Sequence, residues 1–329
     1  MSSSSRSSLP TSSVDVAATV RDDVRRARLG LLQICAAGAL WGTGGLAVSL
    51  LQELSSMSVL TVSTYRLAIA SAVLLVALVI GRRLPELPRL VRERPREVLL
   101  VGASTATYQV LYFAAVVLAG VTVATVVSLA LAPLLLTVVD AVRDRRSPRP
   151  STLVVLACAL TGLVLVSLSA GATGTGPRPT LGILAAVGSG TAYALTTARG
   201  HALSQRAGPL AITTATTSVG AVVLLPLGLA AGLSGSPLVS AEPEAWAILG
   251  YLGVLTMALP YGLLYAGLRT TPGSAAVVAT LLEPVTAALL AAAILGERVG
   301  PLGLLGALLI LAAVGGVHRR PSLDAVPPG

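Results

Sequence analysis

The chain of 329 residues is too apolar, and carries too little charge, to be an ordinary water-soluble protein. Hydrophobic residues make up 54% of it and charged residues 11%, with a mean hydropathy of +0.85, whereas a soluble domain has about 25% charged residues. The net charge of +9 would suggest nucleic acid in a soluble protein. Here the apolar residues fall in runs long enough to cross a bilayer, which takes about 20 helical residues. The composition therefore predicts a polytopic membrane protein with no nucleic-acid partner.

Cysteine and histidine usage argues against redox, metal and acid–base chemistry. Cys35 and Cys158 lie within apolar runs, and His201 and His318 lie at or beyond the ends of such runs. These positions offer neither a disulfide framework nor a metal-ligand spacing. The sequence therefore predicts no metal, no cofactor and no enzyme activity.

Ten transmembrane helices are predicted, after a Ser-rich tail at 1–28 that is too polar to bury a core and is expected to be disordered. The first apolar run is too long for the apolar region of a cleaved signal peptide. A Gly/Pro-rich linker at 171–180 separates a first five-helix repeat, 29–170, from a second, 181–318, and 319–329 form a C-terminal tail. The predicted spans are 30–52, 57–80, 97–118, 121–142, 152–170, 181–198, 209–232, 245–268, 273–295 and 300–317.

Arginine placement supports this count and predicts the orientation, because cytoplasmic loops of membrane proteins carry the excess of positive charge. With the N-terminus in the cytoplasm, 20 of the 23 basic residues fall in cytoplasmic segments. Only Arg178 and Arg298 fall in outer loops, and Arg66 lies within a span. A missed or added helix would disturb this distribution. Both termini are therefore predicted to be cytoplasmic.

The two halves of the chain form an internal repeat. A shift of 151 residues places Pro133 on Pro284 and Pro150 on Pro301, with several Ala, Val and Leu matches around them. The shift spans five helices, an odd number of crossings, so the second copy has the opposite orientation in the membrane. Inverted repeats of this kind suit alternating access to a central site.

Several short motifs stand in order along the two halves. The first half has Leu40-Trp41-Gly42 and Arg66, and the second has Tyr265 through Thr271, Ser274-Ala275, Leu282-Glu283-Pro284-Val285 and Leu295-Gly296-Glu297. In these residues the chain resembles the drug/metabolite transporter superfamily, specifically the ten-helix carriers with two EamA-type repeats. The resemblance implies transport of small polar organic solutes, often amino acids or related metabolites.

The first repeat departs from this pattern at two positions. It has Arg146 where the second repeat has Glu297, and Ala132 where the second has Glu283. The two halves are therefore not chemically equivalent, and the role of Glu283 has no counterpart in the first repeat.

Arg66 and Glu283 are the leading candidates for substrate binding because both lie near the middle of their spans. An arginine at the bilayer centre costs about 2.5–3.5 kcal/mol on insertion scales, so its side chain should face protein or a wet cavity. Arg66 would bind a substrate carboxylate through its bidentate fork. Glu283 would hold a substrate ammonium or accept a proton. Two other interpretations stay open: a structural ion pair between helices, and an Arg66 that extends outward and only packs.

Aromatic residues are few, so those within the spans are further candidates for lining a substrate cavity. The alternative is a set of core aromatics with hydrogen-bonded hydroxyls. Gln109 is a weaker candidate of the same kind, and Pro133 and Pro284 are expected either to bend or open their helices near the cavity or only to shape packing. The aromatic candidates are Trp41, Tyr65, Tyr108, Tyr112, Tyr193, Tyr261 and Tyr265.

These features predict a secondary transporter in the cytoplasmic membrane of a bacterium, which moves a small polar metabolite by alternating access, with export as the expected direction. Its partners would be the substrate and the lipid bilayer, with protons as the candidate coupling ion and uniport as the alternative. A drug or amine efflux carrier of the same fold is a second hypothesis. A membrane-embedded enzyme is a third. The sequence leaves the substrate and the oligomeric state open, a homodimer included.

Overall fold

The computed structural model describes residues 13–169, 176–294 and 300–318, and every regular element in these ranges is helical. A five-residue π-helical segment, Val254–Ala258, joins α10 to α11 and is called the π turn below. The helices are α1 Ser13–Gly42, α2 Gly44–Leu54, α3 Val59–Ile80, α4 Glu86–Glu93, α5 Pro95–Ala119, α6 Val121–Asp144, α7 Pro150–Ser169, α8 Pro179–Ser204, α9 Pro209–Leu233, α10 Pro243–Gly253, α11 Leu259–Gly267, α12 Gly273–Ala279, α13 Leu282–Ile294 and α14 Pro301–His318.

The ten-helix prediction is confirmed. Within the described ranges, nine helical segments are long and apolar enough to cross a membrane, and the tenth, Pro301–Val317, is apolar but shorter. The boundary between the third and fourth spans lies at Gly120, whose φ of 92° is in the left-handed region that glycine adopts without strain. The first, eighth and ninth spans each consist of two helices: α1 with α2, α10 with α11, and α12 with α13.

The predicted disordered tail is wrong for residues 13–28, which the structure places in α1. Residues 14–29 contain neither proline nor glycine and include several alanines and arginines, so nothing in them ends a helix before the bilayer. The short helix α4 lies outside the predicted spans, in a loop that is predicted to be cytoplasmic. The described residues exclude both chain ends, half of the predicted linker and Glu297.

The two halves pack with the pseudo-two-fold symmetry that the 151-residue shift predicts. The shift carries α3 onto α9 and α7 onto α14, and the two members of each pair pack directly on each other. It also carries α5 onto the α10–α11 segment, and α8 packs along α5 as α1 and α2 pack along α11 and α10. Gly102 and Gly253, which the shift relates, bring their helices close to α9 and α3 respectively. The packing is that of an inverted five-helix repeat.

Apolar packing closes the bundle on the side predicted to be cytoplasmic. Leu31 and Ile34 of α1 lie in one buried cluster with Leu264 of α11 and with Leu268, which directly follows that helix. The two helices also meet through their backbones, since a Cβ added at Gly30 would lie 3.0 Å from the carbonyl oxygen of α11's last residue. The described residues therefore hold α1 tightly against α11 at this end.

Gly306→Ala is expected to destabilise the protein, because α7 and α14 cross through glycine. A Cβ at Gly306 would lie 2.7 Å from the Gly162 carbonyl oxygen and 2.8 Å from the Val166 nitrogen. Overpacking of this kind costs about 1–3 kcal/mol. A thermal melt in detergent should show a lower transition temperature. Gly315→Ala in the same helix, where an added Cβ meets nothing within 4 Å, is the matched control and should melt like the wild type or slightly higher.

Candidate functional site

A cavity of about 230 Å³ lies between the two repeats, near the middle of the bundle. Its wall takes residues from α1, α2, α3, α5, α8, the π turn, α11 and α13. On one side of it the rings of Trp41 and Tyr261 meet edge to face, with centroids 5.2 Å apart. Seven of the nine predicted binding residues line this cavity: Arg66, Glu283, Trp41, Tyr108, Tyr112, Tyr193 and Tyr261.

The Arg66 guanidinium is anchored on one side and unpartnered on the other. Its Nη2 donates to Thr256 Oγ1 over 3.2 Å and contacts Met257 Sδ at 3.5 Å. Its Nε is buried without a hydrogen-bond partner. Among the described residues no ion pair joins Arg66 to Glu283, so the two share the cavity without forming a structural ion pair. The guanidinium therefore keeps donors for a ligand.

The π turn places Thr256 beside Arg66. Pro260 has no N–H, so the Thr256 carbonyl loses the donor that an α-helix would supply four residues later. The helix widens here, and the Leu259 N–H bonds to the Val254 carbonyl, five residues back. π-helical segments are rare in proteins, and many of those that occur lie at functional sites.

Glu283 lies where the ninth span is interrupted. α12 ends at Ala279 and α13 begins at Leu282. Pro284 has no N–H for the Thr280 carbonyl, which instead accepts from the Glu283 N–H at 3.0 Å. Glu283 is consequently in the first turn of α13, where the helix dipole favours negative charge. In the described part of the chain no donor is hydrogen-bonded to its carboxylate.

The first span is also interrupted at the cavity. α1 ends at Gly42 and α2 begins at Gly44, and Thr43 between them accepts a hydrogen bond from the Tyr251 hydroxyl at 2.7 Å. A Cβ added at Gly42 would lie 2.5 Å from the Glu283 carbonyl oxygen, so glycine allows α1 to approach the interruption in the ninth span. Three interrupted spans thus meet at one cavity.

Two tyrosines of the wall, Tyr193 and Tyr112, are held by hydrogen bonds of their hydroxyls. The hydroxyls of Tyr193 and Thr280 are hydrogen-bonded at 2.8 Å, which fixes the ring at the interruption of the ninth span. The Tyr112 hydroxyl is bonded to Thr125 Oγ1 at 2.8 Å. The Tyr108 ring lies near both, with its centroid 5.1 Å from that of Tyr193 and 6.1 Å from that of Tyr112. These rings therefore form a connected, positioned surface.

Two predicted tyrosines lie outside the cavity. The Tyr65 hydroxyl donates to the Leu238 carbonyl at 2.9 Å, close to the predicted outer end of the bundle. Tyr265 is fully buried in the core, where its ring packs against Tyr261 and against Gly200 of α8. The structure therefore gives these two side chains packing contacts, in the case of Tyr265 with Tyr261 itself, and places neither in the wall of the cavity.

The two predicted helix-bending prolines behave differently. Pro284 stands directly after the interruption of the ninth span and lines a second cavity, described below. Pro133 is buried within α6, which continues through it as one helix. The pair therefore occupies equivalent positions in the two repeats, but only the second repeat has an opened helix there.

Sequence reasoning gave little weight to Gln109 and missed Thr256, Met257 and Phe113, all of which lie in or beside the wall. Gln109 carries a signal, since an amide in the middle of a span is unusual. Pro260, inside an apolar run, was the signal for an opened helix near Thr256. Met257 and Phe113 have no distinctive signal, because they are ordinary residues of a membrane span.

A second cavity of about 540 Å³ continues from the first toward the side predicted to be outside. It reaches the outer ends of α6, α7 and α13 at Thr122, Ser169 and Ala291. The central cavity is therefore approached from this side, while α1 and α11 are packed together on the other. The residues common to both cavities are Trp41, Gly45, Tyr108, Tyr112 and Glu283.

The charges of the central cavity do not follow the pseudo-symmetry of the scaffold. The 151-residue shift relates Arg66 to Thr217 and Glu283 to Ala132. A symmetric bundle therefore encloses one asymmetric site with one cation and one carboxylate.

Comparison with known proteins identifies the family. The model of the EamA-like transporter family matches residues 28–168 and again residues 180–318, which together are most of the chain and coincide with the two five-helix repeats. The chain belongs to the EamA-like transporter family. It is accordingly a multi-pass membrane transporter, and the resemblance to the drug/metabolite transporter superfamily is confirmed.

Two relatives of this EamA-like transporter are informative. The "Uncharacterized transporter YwfM" of Bacillus subtilis (strain 168) is 29% identical over 280 residues, which cover 85% of this chain and 90% of that protein. A crystal structure described only as that of a protein matches with a TM-score of 0.71 and 20% identity, over 87% of this chain and 95% of that one. The second match shows a shared fold.

Proposed function

We propose that this EamA-like transporter is a secondary carrier that exports small zwitterionic metabolites, such as amino acids and related compounds, across the cytoplasmic membrane of a bacterium. One observation carries the proposal: a single cavity contains an arginine with unpartnered donors and a carboxylate to which no described residue donates a hydrogen bond, and the two form no ion pair with each other. Opposite charges held apart in one cavity fit a ligand that carries both charges itself.

Each end of such a ligand has a partner of the matching chemistry. A carboxylate accepts charge-assisted hydrogen bonds from the remaining donors of Arg66, and bidentate pairs of this kind are the strong ones. An ammonium group binds the Glu283 carboxylate at the N-terminal turn of α13. The aromatic rings between them supply apolar and cation–π contact for the rest of the molecule.

The inverted repeat and the different packing at the two ends of the bundle support alternating access as the mechanism. The second cavity connects the central site with the predicted outer side, whereas α1 and α11 pack tightly at the other end. Rocking of the inverted repeats about the site would close the outer end of the bundle and open the cytoplasmic end, so that the site would face the cytoplasm. Substrate then crosses without any continuous pore.

Glu283 also provides a route for proton coupling. Its carboxylate holds either a proton or the substrate ammonium, and each excludes the other. Release of substrate outside would allow protonation there, and deprotonation inside would prepare the site for the next substrate. The exported substrate is thereby exchanged for a proton that moves inward.

An amine or drug efflux carrier is the second candidate function. The 540 Å³ cavity with its aromatic residues would accept a larger cation by cation–π contact, with Glu283 as the counter-ion. Such a substrate has no carboxylate for Arg66 to bind. Family membership favours transport over a membrane-embedded enzyme.

Counterflow into proteoliposomes tests the proposal. The vesicles are preloaded with a mixed amino-acid pool, and single labelled amino acids are added outside. Uptake that requires the preloaded pool is the expected result, and it names the substrate. If folded protein takes up no amino acid but exchanges labelled amines or lipophilic cations, the second candidate function replaces the first.

Thr256→Val is expected to raise the substrate concentration for half-maximal counterflow by about tenfold, with a smaller effect on the maximal rate. The Thr256 hydroxyl donates to the Leu252 carbonyl at 2.6 Å and accepts from Arg66, so it fixes the direction of the guanidinium. A lost hydrogen bond to a charged group is worth about 1.5–3 kcal/mol, with about 1.4 kcal/mol for each tenfold. Thr256→Ser keeps the hydroxyl and should stay near the wild type. Equal values for the two variants would contradict this positioning role.

A further inference from the structure

A third polar group lies in the wall of the central cavity: the amide of Gln109 on α5. The residue is 6% exposed and lines the cavity together with Arg66 and Glu283. Its Oε1 and Nε2 are both buried, and neither has a hydrogen-bond partner in the part of the chain that the structure describes. The amide is therefore unpaired on both its donor and its acceptor side.

Such an amide is unfavourable for the protein alone. Buried polar groups in native proteins are hydrogen-bonded in about 90% of cases or more, and a primary amide has two donors and one acceptor oxygen to satisfy. The fold of the repeat does not require it either, because the 151-residue shift places Pro260 at the equivalent position. An amide kept unpaired beside a cavity fits a group that a bound molecule satisfies.

We propose that Gln109 is a specificity-determining residue, which binds an uncharged hydroxyl or amide of the substrate while Arg66 and Glu283 hold its charged ends. This inference rests on the proposed transport of zwitterions and narrows their class. Arg66 offers only donors and the Glu283 carboxylate only acceptors, whereas Gln109 offers both and carries no charge. It therefore matches a neutral group that both donates and accepts. The substrates are zwitterions with a polar, uncharged side chain.

Competition in the counterflow assay tests the assignment with two pairs of amino acids that match in shape. Asparagine is compared with leucine, and threonine with valine, so that each pair differs chiefly in hydrogen-bonding groups. The wild type is expected to prefer the polar member by about tenfold or more, because the apolar member leaves the amide unpaired in a filled cavity.

Gln109→Leu replaces the amide with an apolar side chain of similar size. The variant should transport the polar and apolar members of each pair about equally, or prefer the apolar member. Transport of leucine and valine should continue, which shows that the variant is folded. Gln109→Met, with a flexible side chain of similar length, provides the same test if leucine packs badly at this position.

Three results overturn the inference. Equal losses for all four amino acids would show that Gln109 acts on the shared charged ends or on the fold. An unchanged preference would show that something other than substrate, such as bound water, satisfies the amide. If the wild type transports zwitterions without preferring the polar members, only this inference fails. If it transports no zwitterion, the proposed function fails first.

Discussion

Arg66→Ala is expected to reduce counterflow of zwitterionic substrates by at least about 100-fold. The variant removes the cation of the central cavity, and with it the two charge-assisted hydrogen bonds that the proposed function assigns to the substrate carboxylate. At about 1.5–3 kcal/mol for each such bond, the loss amounts to about 3 kcal/mol or more, which is over two decades in affinity. Initial rates of counterflow in proteoliposomes, with protein amounts matched, measure the effect.

Two controls separate substrate binding from folding. Arg206→Ala removes an exposed arginine from a loop that is predicted to be cytoplasmic, and the variant should transport like the wild type. The melting temperature of Arg66→Ala in detergent without substrate should stay close to that of the wild type, because Arg66 is not part of an ion pair. Retained counterflow in Arg66→Ala would show that the carboxylate binds elsewhere. A melting temperature lowered by many degrees would instead assign Arg66 a structural role.

Glu283→Gln is expected to separate exchange from accumulation. Proteoliposomes that contain the wild-type protein, with a lumen one pH unit more acidic than the medium, should accumulate substrate. If one proton is exchanged for each substrate, the ratio of inside to outside concentration is limited to about tenfold. Glutamine cannot release a proton, so the accumulation ratio should fall to about one. Counterflow without a pH gradient should persist at reduced affinity, because the glutamine oxygen still accepts a hydrogen bond from the substrate ammonium.

Glu53→Gln provides the matched control for that experiment. Glu53 is an exposed acid near the outer end of α2, and its replacement should leave the accumulation ratio unchanged. A Glu283→Gln protein that still accumulates substrate against a gradient would exclude this carboxylate as the coupling group. A wild-type protein that exchanges substrate but never accumulates it would be a uniporter.

The number of spans, their order and their internal symmetry could be predicted from the sequence because the bilayer fixes helix length. A run of about 20 apolar residues that is joined to an arginine-rich loop has few possible structures other than a membrane-spanning helix. The matches of Pro133 with Pro284 and of Pro150 with Pro301 identified the repeat, since prolines are more distinctive than the Ala, Val and Leu that fill the spans. The start of the first helix was wrong, because residues 13–28 lie outside the apolar run, where composition constrains structure less.

The site could be predicted only in part. The depth of a residue in the membrane can be read from the sequence, but the direction in which its side chain points cannot. Arg66 and Glu283 were found because a charge in a span has few tolerable environments. Tyr65 and Tyr265 have similar positions in sequence to tyrosines of the cavity, yet they face a loop and the core. Membrane helices are apolar on nearly every face, so they lack the periodicity that orients a helix in water.

The most direct test of the central cavity as the substrate site uses a cysteine at Gly45. This glycine lines both cavities, and an added Cβ there meets nothing within 4 Å, so Gly45→Cys places a thiol beside the site without crowding. Cys35 and Cys158 are free and are first replaced by serine. The rate at which a small thiol reagent modifies this protein is measured with and without the substrate that counterflow identifies. Substrate should slow the modification, and the protection should disappear when Arg66→Ala is added. An unchanged rate at saturating substrate would mean that the substrate binds outside this cavity.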